Sequence, residues 1–251
     1  SKTQKRDFMR YFAELSYKGT AYCGWQRQPN ARSVQQTIEE ALSTILRESI
    51  EIVGAGRTDT GVHAAFYVAH FDTSKEIANP ADFVYHLNAL LPEDVAFGRI
   101  YEVASDAHAR FDATEREYRY YIQSRKDPFT KATTWQLTTP LDIEAMNEAA
   151  KVLLATEDFT TFAKLGSNNT NNICHIFRAE WVEIECGMTV FIFRANRFLR
   201  NMVRAVVGTL VDVGRGKISV AEFREIVASR DLSRSSSSAP ASGLFLTDVK
   251  Y

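Results

Sequence analysis

The sequence predicts an α+β protein made of two similar β-α-β-β-α-β subdomains whose antiparallel sheets join around a central cleft. Three observations lead there. Short runs alternate between apolar and polar residues, helical periodicity separates them in the same order twice, and 251 residues suffice for one large or two modest domains with a buried core. The first subdomain covers 1–104 and the second 105–251, with a linker-like polarity over 104–114.

In the first half, alternation over 10–17 reads as a strand. A helix over 33–48 follows, opened by a Ser-x-x-Gln capping box of Ser33 and Gln36. Strands near 50–54 and 67–72 precede a helix begun by Asn79 as N-cap and Pro80 as first helical residue, running through Leu91. A strand over 95–103 completes the set. The second half repeats the order with a strand over 117–124, a helix over 142–154, two strands meeting as a hairpin at Cys186-Gly187, and a strongly apolar helix over 199–213. A shorter helix over 220–229 and a strand over 244–251 close the chain, and the serine-rich run 233–238 between them reads as a mobile loop.

Composition limits the function classes. Hydrophobic residues at 45% and charged residues at 24% exclude a mainly disordered chain. No apolar run approaches the roughly 20 residues needed to span a bilayer. The polar, basic stretch 1–10 lacks the apolar segment of a secretory signal, so a cytoplasmic location is expected. Cys23, Cys174 and Cys186 are too widely spaced for a disulfide framework or a zinc knuckle, and the five histidines form no metal-binding pair, so no metal is expected. Lys and Arg number 30 against 31 Asp and Glu, which argues against a uniformly cationic surface for nucleic acid. Any such surface must be local, and one cluster qualifies: Arg194, Arg197, Arg200, Arg204, Arg215 and Lys217, with Asp212 as the single acid.

Between two strand-like runs, Gly54-Ala55-Gly56-Arg57-Thr58-Asp59-Thr60-Gly61-Val62-His63-Ala64 forms a glycine-rich loop that presents one acid beside one base. It lacks the Gly-Lys-Ser/Thr ending of a phosphate-binding loop and the immediate helix of a dinucleotide fingerprint. On its own it suits a structural turn as well as a catalytic one.

The segment Gly56-Arg57-Thr58-Asp59-x-Gly61-Val62-His63-Ala64 resembles the signature of the TruA family of pseudouridine synthases. Four further segments agree in order: Tyr22-Cys23-Gly24-Trp25-Gln26-Arg27-Gln28, Phe111-Asp112-Ala113-Thr114-x-x-x-Tyr118-Arg119-Tyr120, Asn196-Arg197-Phe198-Leu199-Arg200-Asn201-Met202-Val203-Arg204 with Val207-Gly208-Thr209-Leu210, and Ala239-Pro240-Ala241-x-Gly243-Leu244. Thr60 departs from the alanine more usual in the family and removes no required group.

The resemblance implies the pseudouridine synthase fold and a cofactor-free isomerisation of uridine at positions 38 to 40 of the tRNA anticodon arm, by a homodimer. It assigns Asp59 as the catalytic carboxylate, Arg204 as its basic partner, Tyr118 as the residue that stacks on uracil and assists loss of the C5 proton, Arg57 as the occupant of the space a flipped uridine vacates, and Leu244 as an apolar pocket wall. Tyr120, on the same strand face as Tyr118, is the structural decoy. With that reading, Arg197, Arg200, Arg215 and Lys217 become a phosphate track joined by Lys18, Arg27 and Arg32. Two rivals are weaker. A non-catalytic RNA-binding module has no use for an Asp and Arg pair, and a glycoside hydrolase needs a second carboxylate at the scissile bond.

Overall fold

A computed structural model describes residues 8–251. The basic stretch at 1–7 lies outside the described residues. The chain divides into two compact units, the first ending at Ala113 and including Tyr251, the second covering Thr114–Lys250.

The first unit contains β1 (Met9–Tyr17), α1 (Val34–Leu46), β2 (Ile52–Gly54), β3 (His63–Thr73), α2 (Pro80–Leu90) and β4 (Val95–Val103). Its sheet runs β4-β1-β3 with β2 on β3, every pairing antiparallel. Tyr11, Ala13, Leu15 and Tyr17 of β1 are buried at alternate positions, and Val34, Ile38, Leu42 and Leu46 of α1 are buried at helical spacing. The Ser33 hydroxyl accepts from the Gln36 amide at 3.1 Å, so half of the expected capping box forms. The other half is lost because the Gln36 side chain donates to Glu40 instead. Arg47 in the left-handed region ends α1 two residues before the expected stop. Asn79 caps α2 through the Asp82 amide, with Pro80 at its first position.

The second unit contains β5 (Glu115–Gln123), β6 (Trp135–Gln136), α3 (Ile143–Leu154), β7 (Ile176–Ile184), β8 (Met188–Ala195), α4 (Met202–Gly214), α5 (Val220–Ser229) and β9 (Leu244–Lys250). Its sheet runs β9-β5-β8-β7 antiparallel, with the short β6 parallel to β5. The β7–β8 hairpin turns through Cys186 and Gly187, both at positive φ. Helix α4 is buried on nearly every face, as its mostly apolar sequence requires, with Arg204 and Asp212 as its charged residues.

Two expectations need correction here. Helix α4 starts at Met202 rather than at 199, because Asn201 adopts φ 64° and turns the chain before the helix begins. The run 233–238 is not a free loop. Its backbone lies against α4, where the Ser236 amide donates to the Thr209 hydroxyl and the Asn201 amide group to the Ser238 hydroxyl. Gly208 makes this possible, since a Cβ there would sit 2.0 Å from the Ser237 carbonyl oxygen.

Candidate active-site residues

In the first unit, the loop between β2 and β3 carries Asp59 on a braced turn. The Val62 amide donates to the Asp59 carbonyl at 3.1 Å, closing the turn that contains Thr60 and Gly61. The segment around Gly24 packs directly on this loop. The Trp25 amide donates to the Thr58 carbonyl and the Gly61 amide to the Tyr22 carbonyl, both at 3.3 Å. A Cβ on Gly24 would approach the Thr58 carbonyl oxygen to 2.4 Å, so only glycine permits this contact.

Aromatic residues beneath the loop fix it further. Tyr17 and the Thr58 hydroxyl are hydrogen-bonded at 2.7 Å, and the Tyr67 hydroxyl donates to the Gly56 carbonyl at 2.5 Å. Trp25 packs on Tyr67 with ring centres 4.3 Å apart, and Tyr17 meets Tyr67 edge-on at 5.6 Å. His63 is fully buried and its Nδ1 accepts from the Gly19 amide, which gives it a structural role. Asp59 is half-buried and Arg57 exposed, so both side chains can reach a ligand from a backbone held on several sides. The glycine and aromatic supports were visible in the sequence only as parts of motifs, since nothing local says that residues 22–25 brace residues 56–61.

In the second unit, Tyr118 and Tyr120 separate cleanly. Tyr120 is 1% exposed and its hydroxyl donates to the Pro240 carbonyl at 2.7 Å. Burial pushes its pKa well above the ordinary phenol value. Tyr118 is half-buried and meets Phe198 edge-on at 5.1 Å, and Phe198 in turn packs on Phe193. Thus one tyrosine is a core strut and the other retains an accessible ring.

A bulge lies beside Tyr118. Glu117 pairs with Asp248 while Tyr118 pairs with Leu246, leaving Thr247 as the extra residue of β9. The Thr247 hydroxyl donates to Glu117 at 2.8 Å, and Arg119 and Arg194 donate to the same carboxylate, each at 2.9 Å. Burial pushes the Glu117 carboxyl up, but these three bonds outweigh it and hold its pKa below the usual value. The irregularity keeps Leu246 and Val249 both buried although they are three residues apart.

Arg204 lies in the first turn of α4 and is tied to the chain that follows the serine run. Its Nε donates to the Ala239 carbonyl at 2.8 Å, and its own carbonyl accepts from the Ala239 amide at 2.9 Å. Leu244 is buried at the start of β9, opposite Tyr120. The segment 239–244 therefore links the Arg204 helix to the tyrosine strand through Ala239 and Pro240.

The cationic cluster seen in the sequence is divided by the fold. Arg194 leaves it, because its guanidinium is bound by Glu115, Glu117 and Asp248 with 18% exposure. Arg197 donates to Asn171 and to the Ile173 carbonyl. Arg200 is exposed before α4, whereas Arg215 and Lys217 follow its C-terminal end and both face Asp212. Thirteen helical residues separate the two ends by about 20 Å. In the first unit Lys18 is exposed, Arg27 pairs with the buried Glu39, and Arg32 makes a solvent-exposed pair with Glu40. No group of three metal-ligating side chains and no helix long and apolar enough to cross a membrane occurs among the described residues.

The protein is of the α+β class, with a braced loop presenting a carboxylate in one unit and an accessible tyrosine and a strapped arginine in the other. The sequence pattern of the tRNA pseudouridine synthases matches residues 13–112 and 149–251, and the chain belongs to that family of isomerases. Over 244 residues it is 51% identical to tRNA pseudouridine synthase A of Porphyromonas gingivalis, covering 96% of this chain and 97% of that protein. Identity to tRNA pseudouridine synthase A of Bacteroides thetaiotaomicron is 50% over 244 residues, 96% and 90% of the two chains. With the same-named protein of Acetivibrio thermocellus it is 41% over 240 residues, 94% and 97% of the two chains.

Proposed function

We propose that the protein isomerises uridine to pseudouridine at positions 38 to 40 of the tRNA anticodon arm, with Asp59 as the carboxylate that acts at the ribose. The observation that carries this reading is the braced Asp59 turn, which fits chemistry needing one well-placed acid rather than a binding loop free to adapt. The reaction breaks the bond from C1′ to uracil N1, turns the base, and joins C1′ to C5, with the C5 proton lost and N1 protonated. Atoms balance without an oxidant, a leaving group or a cofactor.

An ionised Asp59 can attack C1′ or remove the 2′ hydrogen, and both routes need the unprotonated form. Arg204 is proposed as the cation that favours that charge, with orientation supplied by its bond to Ala239. Tyr118 supplies an aromatic face for the detached uracil, and Leu244 an apolar wall. Arg57 takes the space left by the flipped nucleotide. Exposed Lys18, Arg32, Arg200 and Lys217 contact phosphates, together with Arg27, Arg197 and Arg215 where their protein partners yield. The family resemblance also supports a cytoplasmic homodimer acting on one tRNA.

Mapping pseudouridine in bulk tRNA from cells with and without the protein tests the reading. Loss confined to positions 38 to 40 is expected, and an unchanged anticodon arm sinks it. Asp59→Ala should abolish isomerisation while tRNA affinity stays within about tenfold, because the carboxylate serves the chemistry rather than phosphate contacts. A variant that loses binding and activity together would place Asp59 in a structural role.

A further inference from the structure

Phe111 lies in the turn that leads into β5, and its ring is 75% exposed. An exposed phenylalanine is ordinarily held by little, but this one is fixed. Its ring stacks on His108 with centres 4.2 Å apart and planes 27° apart, and His108 rests edge-on against the buried His70 at 4.7 Å. The His108 Nδ1 accepts from the Arg110 and Phe111 amides at 3.1 and 3.2 Å, while the Asp112 carboxylate accepts from the His108 amide at 2.7 Å. Ala109, fully buried between them, is anchored by its amide to His70 and by its carbonyl to the Tyr251 hydroxyl. The turn is built before any ligand arrives, so ordering the ring on binding costs little.

Chemistry around the ring selects the occupant. The Arg110 guanidinium lies over the ring, 5.7 Å from its centre, and the Asp112 carboxylate is engaged by the backbone of the turn. Burial and the nearby Arg10 keep His108 below its ordinary pKa, consistent with a neutral imidazole accepting two amides. A single aromatic ring is far too small for the roughly 800 Å² that each side of a stable protein interface buries. It matches one nucleobase, whose flat face stacks on a ring while a guanidinium serves the neighbouring phosphate.

We propose that Phe111, backed by His108 and flanked by Arg110, is a stacking platform for an unpaired base of the RNA substrate, separate from the tyrosine that receives the reacting uracil. The inference rests on the tRNA reading above. The test measures affinity for full-length tRNA and single-turnover rate at saturating tRNA for the wild type and for Phe111→Ala, Phe111→Leu and Phe111→Trp. Alanine and leucine should each weaken binding about five- to hundredfold, tryptophan should stay within about twofold, and saturating rates and melting temperatures should not change. Binding restored by leucine would show that apolar volume suffices, and alanine at wild-type affinity would show that nothing stacks there. Either result overturns the platform while an active wild type leaves the tRNA reading intact. A wild type that neither binds nor isomerises tRNA removes both.

Discussion

At the scale of single residues, the two tyrosines of β5 make a paired test. Tyr120→Phe leaves the Pro240 carbonyl without its donor and should cost about 1–2 kcal/mol of stability while activity at permissive temperature persists. Tyr118→Ala should do the reverse, lowering the single-turnover rate strongly with little change in melting temperature; equal effects on both properties would dissolve the distinction. Arg204→Lys should retain more activity than Arg204→Met, since lysine keeps the charge and loses the planar fork. A methionine variant with the wild-type rate and pH profile removes the arginine from the chemistry. His70 gives a pH prediction. Burial, then Arg10 and His108, depress its pKa from 6.5 to about 4. It is neutral when folded, whereas the unfolded chain binds a proton below about 6.5. Its contribution is therefore complete above that pH and is lost as pH falls toward 4. Between pH 6.5 and 5, before most carboxylates titrate, the wild type should lose stability. His70→Asn, whose amide oxygen can still accept from Ala109, should show a flatter profile.

At the scale of elements, the regular pieces were legible because their signals are local. Strand β4 falls where alternation placed it, and Asn79-Pro80 opens α2 as expected. What the sequence hid depends on partners distant in the chain. Arg194 reads as one of six cations near α4, yet its acids come from β5 and β9. The bulge at Thr247 hides within a run that reads as one strand, because only pairing with Glu117 shows the extra residue. Serine-rich composition suggests mobility in the run 233–238, but Gly208 lets that run lie against α4 and continue to Ala239, which holds Arg204. Gly208→Ala tests that connection. The added methyl improves helix propensity by about 1 kcal/mol, but it meets backbone at 2.0 Å, so a net loss of about 1–3 kcal/mol is expected. If the strap positions Arg204, the rate at a temperature where the variant is fully folded should also fall. A folded variant with full activity would confine the strap to stability.

At the scale of the molecule, a chain with 30 basic and 31 acidic side chains must bind a polyanion through selected cations rather than through its overall field. The fold sorts the cations into those held by carboxylates and those left exposed. Arg194 is neutralised by three carboxylates and Arg27 is held by Glu39, whereas Lys18 and Arg200 stand exposed. Each phosphate contact releases condensed counterions, so affinity for tRNA should fall steeply with salt, and the slope of log K against log salt counts the contacts. Lys18→Ala and Arg200→Ala should each reduce that slope by about one while leaving the melting temperature unchanged. Arg194→Ala should behave differently: it removes the cation shared by Glu115, Glu117 and Asp248 while Arg119 stays on Glu117, so stability should drop by roughly 1.5–3 kcal/mol. Its salt slope should stay at the wild-type value under conditions where the variant is folded. A slope that falls by one in Arg194→Ala, or that stays fixed in both Lys18→Ala and Arg200→Ala, would reverse the assignment of which cations meet RNA and which hold the sheet.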